Sequence, residues 1–168
     1  GASAAGNAAQ EWLAQAVAAI ERGELTTAAA YAELAQSYTA VAPQVVPQIR
    51  RIERQITLLA EARDRTREAR GRAAAGDLAA ALAGYRAALE LTTDGETGLP
   101  ADARHEIHRV LDAEDALDEA TPAPALLDAA RHPLVKEFVA PALGRWWRLA
   151  RQVAALARIA AQVALGQA

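Results

Sequence analysis

The sequence predicts an all-α protein, a helical-hairpin array or bundle of about seven helices. Two observations carry that prediction. The 168 residues include 47 alanines against one phenylalanine, three tyrosines and three tryptophans, so the best helix former dominates and strand formers are scarce. No stretch of strand length alternates apolar and polar residues, whereas apolar positions recur at helical spacing between glycine and proline breaks. Small side chains also allow close helix pairs, so tight packing is expected rather than a thick aromatic core.

Residues 1–9 are small and polar and read as a frayed lead-in. A first helix is expected over about 10–22, with Trp12, Leu13, Ala16, Val17 and Ile20 on one face, stopped by Gly23. A second follows over about 25–41, with Ala28, Tyr31, Ala32, Leu34, Ala35 and Tyr38 on its apolar side. Pro43 and Pro47 then break the chain.

The third helix, about 48–75, carries Ile49, Ile52, Ile56 and Leu59 at 3-4-3 spacing, a narrow buried seam. After Ala62 that seam gives way to Arg63, Asp64, Arg65, Arg67, Glu68, Arg70 and Arg72. Gly76 ends the helix, and a fourth runs over about 78–91 with Leu82, Tyr85, Ala88, Leu89 and Leu91 inward. The segment from Thr92 to Gly98 is a loop and the clearest interior boundary. It divides a hairpin half, residues 1–92, from a C-terminal half, residues 99–168, unless the two form one continuous domain.

Pro100 suits the first turn of a fifth helix, about 101–120. Thr121-Pro122 opens a short sixth, about 122–131, and His132-Pro133 ends it. The last helix is expected over about 134–166, kinked at Pro141 and Gly144.

Two stretches repeat. Glu21-Arg22-Gly23-Glu24-Leu25 and Ala74-Ala75-Gly76-Asp77-Leu78 each end a helix in Gly-acid-Leu before an alanine-rich helix. The glycine permits the turn, and the acid sits near the positive end of the next helix. In the second stretch, Gly76-Asp77-Leu78, Ala81-Leu82, Tyr85 and Ala88-Leu89-Glu90-Leu91 follow the turn and second helix of a known pattern. There the chain resembles a tetratricopeptide repeat (TPR). The first stretch matches through Trp12, Gly23, Ala28 and Ala35, so the resemblance covers about residues 10–41 and 62–92. Glycine to glycine is 53 residues, against about 34 in a tandem array. The closing proline of the pattern is replaced by Ala40 and Thr93. The resemblance implies stacked hairpins and a surface that holds a protein or peptide.

Net charge is −3 and cysteine is absent. The first removes the electrostatic case for nucleic acid. The second removes disulfides and thiolate metal sites. Seventeen arginines against the single Lys136, with the alanine excess, point to a GC-rich bacterial genome. There is no methionine, and Gly1-Ala2-Ser3 reads as a cleavage scar or internal cut, so a piece of a longer protein is expected. No window reaches the roughly 18 uncharged apolar residues of a membrane span, and the expected compartment is the cytoplasm.

Charge separates by segment. Residues 102–119 balance to −5, residues 50–72 to +4, and residues 134–168 again to +4. Either the acidic helix lies near a basic segment, which is favoured, or a basic face bearing Arg65 and Arg72 recruits an acidic partner. On the last helix Trp146 shares a stripe with Leu149 and Val153, and Arg148, Arg151 and Arg158 take the other side. Trp146 reads as a core anchor. Trp147, Arg148 and Arg151 read as a rim, or as a surface for a partner helix or lipid headgroups.

His105-Glu106-Ile107-His108 places two imidazoles on neighbouring turns, with Asp102 or Asp112 as a further ligand. It is one residue short of the metalloprotease spacing, and the favoured reading is a solvated face with no cofactor. No serine-nucleophile motif, phosphate loop or nucleotide fingerprint is present. The expectation is a non-enzymatic protein-interaction module, an adaptor, regulatory or assembly domain. A self-assembling helical protein paired through the Ile49 seam or the last helix is the alternative. A small metal protein or enzyme built on Asp102, His105 and His108 is the second alternative.

Overall fold

The computed structural model describes residues 2–116, 133–141 and 158–166. Among the described residues there are helices and single 3₁₀ turns, and no strand. The all-α prediction is met.

The first hairpin pairs α1 (Ala2–Glu21) with α2 (Leu25–Gln36). The lead-in expected over 1–9 is helical over its described residues, 2–9. It is rich in alanine, and it is also covered. Ala9 is fully buried, and a side chain built at Gly6 would stand 3.1 Å from the Gln44 amide, in the 3₁₀ turn Pro43–Val45. The α1–α2 turn closes on itself. The Gly23 amide donates to the Ile20 carbonyl and the Glu24 amide to Ala19, with Gly23 at φ +78°. Those two bonds are the Schellman cap, and they satisfy carbonyls that the helix end would otherwise leave open. The Trp12 and Tyr31 rings stack across the pair, 5.7 Å between centroids.

The inward face of α2 is Leu25, Ala28, Ala32 and Ala35. Val17 and Leu34, read from the sequence as inward, are 41% and 43% exposed. At 100° per residue Leu34 falls well off the alanine stripe, and the small side chains face in because the helices lie close. α2 also stops five residues earlier than expected. The hydroxyls of Ser37 and Thr39 donate to the carbonyls of Leu34 and Gln36, which competes with helix continuation.

Pro47 does not break the chain ahead of the third helix. It occupies the first turn of α3 (Val46–Ala74), where a missing amide costs nothing. Ile49, Ile52 and Leu59 are buried and Ile56 is half-buried. The stripe does not fade after Ala62: it continues through Thr66 and Ala69. The Thr66 hydroxyl is satisfied by the Ala62 carbonyl at 2.9 Å. The partner is α4 (Leu78–Thr92), which packs along α3.

The α3–α4 turn repeats the first. The Gly76 amide donates to Ala73 and the Asp77 amide to Arg72, with Gly76 at φ +82°. Asp77 caps α4 by accepting from the Ala80 amide at 3.2 Å. Glu24 makes no such cap and pairs with Arg22 instead. α2 and α3 also touch, so the hairpins stand side by side.

The expected loop after α4 is docked, not free. The Asp94 carboxylate accepts from the Glu96 amide, opening the 3₁₀ turn Gly95–Thr97. That turn packs on α3, with Thr97 and Leu99 buried. α5 (Ala101–Ala116) and α6 (Pro133–Pro141) follow. α5 packs on α4 and α6, and α6 also reaches α3. Leu99, Ile107, Leu111, Leu134 and Phe138 share one buried cluster with the core of α1–α4. The chain is helical again over 158–164. The expected helix over 122–131 and the expected kink at Gly144 lie outside the described residues.

Candidate docking grooves

Arg65 and Arg72 stand seven residues apart, two turns, and so share one side of α3. Together with Glu68 they rim a groove of ≈ 310 Å³ between α3 and α4. Its floor is Ala69, Ala80, Ala83, Gly84 and Ala87. The floor is shallow because the helices nearly touch: a Cβ at Gly84 would lie 2.8 Å from the Ala69 Cβ. A lone glycine inside an alanine helix was the available signal for that contact.

The rim charges are loosely held. Arg65 pairs with Glu61 at 3.2 Å, and Arg72 lies 3.9 Å from both Glu68 and Asp77. All five side chains are about half exposed or more. Pairs of that kind contribute little to stability and can be exchanged for a partner's carboxylates at small cost. Arg50, Arg51 and Arg70 have no ion pair among the described residues.

Two other grooves are open to solvent. One, ≈ 290 Å³, lies between α1 and α3, with Leu13, Val17 and Ile52 below and Gln10, Gln48 and Arg51 above. The other, ≈ 390 Å³, lies between α2 and α3 beside Glu33, Glu53 and Ile56. None of the three is lined by a histidine or a serine. No protein-family model, curated protein or solved structure matches this chain. Its function therefore rests on its own geometry.

The remaining sequence candidates fall as follows. Asp102, His105 and His108 are exposed on α5. Among the described residues no three His, Asp or Glu side chains group as a metal site. Trp146, Trp147, Arg148 and Arg151 lie outside the described residues, as does His132. No described helix is long and apolar enough to cross a membrane.

Two pairings escaped the sequence. Arg54 donates to Glu96 at 2.9 Å, which ties the docked turn to α3. Arg63 donates through Nε to one oxygen of Glu137 at 2.7 Å and through Nη2 to the other at 2.9 Å. In each case the arginine pKa is raised, chiefly by the hydrogen bond to its carboxylate. These ion pairs of the basic segment thus run to Glu96 and α6, while the acidic helix α5 packs on α4 and α6. Partners 42 and 74 residues away leave no local pattern to read.

Proposed function

We propose that this chain is a non-enzymatic helical module that docks an acidic protein or peptide segment, as an adaptor, regulatory or assembly unit. One observation carries the reading. Arg65 and Arg72 rim a single open groove whose floor is alanine and glycine. A helix or extended strand could lie along such a floor at close range, with its carboxylates between the two guanidiniums. The paired Schellman turns at Gly23 and Gly76 support the TPR-like hairpin part of the same reading. Repeated hairpins make continuous surfaces for such ligands.

The test is retention of bacterial lysate proteins on the immobilised chain. A bound protein should be lost on Arg65→Glu with Arg72→Glu and weakened by salt. Equal retention by that variant, with its helical circular dichroism intact, would rule the groove out.

Self-association is a second reading. Ile159 and Val163 stand one turn apart and are 55% and 58% exposed, so that face of residues 158–164 is open to a copy. The Ile49 seam offers no such surface, because Ile49, Ile52 and Leu59 are buried within the chain. Sedimentation showing a concentration-dependent dimer lost on Val163→Glu would favour it.

A further inference from the structure

α6 sits on the molecule as a ligand would. Its described residues are Pro133–Pro141. Leu134 and Phe138, one turn apart, are 0% and 1% exposed. They enter the buried cluster that includes Leu25, Leu59, Tyr85 and Ile107. Lys136 is exposed. Glu137 lies beside the apolar pair, and the Arg63 fork grips both of its oxygens.

The surface beneath it is built from separate parts of the chain. α3 supplies Arg63, and α4 and α5 pack against α6. The α1–α2 turn supplies Gly23, where an added Cβ would be 3.5 Å from Leu134 and 3.9 Å from Pro133. Arg63 Nη2 also donates to the Gly23 carbonyl at 2.8 Å. That bond involves no atom of α6, so one contact of the guanidinium does not depend on the carboxylate. Apolar anchors at i and i+4 with a bidentate carboxylate clamp at i+3 are how a groove recognises a short helix and fixes its register.

We propose that this surface is a helix-docking site occupied in cis by α6. It accepts in trans a short helix with large apolar residues at i and i+4 and a carboxylate at i+3. The site is separate from the Arg65–Arg72 groove and does not rest on it. A tethered segment competes at high effective concentration, so a partner gains access only when it outbids α6 or when α6 is weakened.

The probe is a fluorescent peptide of residues 131–143, added to the intact chain. Phe138→Ala in the chain weakens the cis segment and should raise peptide affinity at least about tenfold over the wild type. Adding Arg63→Glu should remove that binding, and a peptide carrying Glu137→Arg should restore it. A helical Phe138→Ala chain that binds no better than the wild type overturns the proposal. The wild-type chain supplies the second measurement, independent of any variant's folding. Excess peptide should accelerate hydrogen exchange of the α6 amides while leaving those of Leu58–Ala62 in α3 unchanged. If α6 stays as protected as α3 at saturating peptide, it is an integral core helix and the proposal fails.

Discussion

The β-carbon of an alanine at position 84 would fall 2.8 Å from that of Ala69 and 3.4 Å from the Ala69 Cα. Helix propensity alone predicts that Gly84→Ala stabilises α4 by about 1 kcal/mol. The contact predicts the reverse, since α3 backbone cannot yield as a flexible side chain would. Gly84→Ala should destabilise by about 1–3 kcal/mol. Adding Ala69→Gly should recover part of the loss. Thermal unfolding of the three proteins decides the sign, and a more stable Gly84→Ala protein would show that the helices do not approach this closely.

Gly76 presents the opposite case. Nothing lies within 4 Å of a Cβ built there, yet its φ is +82°. Gly76→Ala should cost about 1–2 kcal/mol through backbone strain alone. Gly76→Asn should cost less, because asparagine tolerates the left-handed region better. Equal melting temperatures for glycine and alanine would mean that the turn is not the Schellman cap.

The Arg63–Glu137 pair should show a coupling of about 1 kcal/mol in a double-mutant cycle with Arg63→Ala and Glu137→Ala. Its pH behaviour has a definite sign. The hydrogen bond to Glu137 raises the Arg63 pKa. A raised cation contributes stability that is complete below the unfolded pKa and is lost only as pH climbs through the folded one. For arginine both lie far above neutrality, so the coupling should stay flat between about pH 6 and 9. A coupling that vanishes by the upper end of that window would exclude Arg63 as the cation.

Tyr85 is 1% exposed, and its hydroxyl has no hydrogen-bond partner among the described residues. A buried polar group left unsatisfied costs about 1–3 kcal/mol. Tyr85→Phe keeps the ring and removes that cost, so unfolding in urea should show equal or greater stability. A loss above about 1 kcal/mol would mean the hydroxyl is hydrogen-bonded in solution.

Much of the first four helices was legible because the deciding forces are local. Gly23 and Gly76 needed only their own left-handed freedom and the amide that follows each, so the Gly-acid-Leu repeat announced both turns. Other boundaries turned on competition that composition does not rank. Ser37 and Thr39 bonded back to α2 carbonyls and ended that helix early. Pro47, taken as a break, fits a helix start as readily. The basic half of α3 read as wet because its stripe of Ala62, Thr66 and Ala69 is small, and small residues count as core only once a partner helix is close.

The groove was half legible: the sequence singled out Arg65 and Arg72 by charge, and α4 supplied most of the floor they share. By itself the sequence determined the helical class and the two glycine turns, since helix formation and capping are settled within a few residues of chain. Tertiary structure decided which alanines face inward, where α6 sits, and that Arg63 meets both Glu137 and the Gly23 carbonyl. Those outcomes depend on surfaces that touch only after distant segments pack. A guanidinium finds its carboxylate 74 residues away by fitting a shape the whole core has already made.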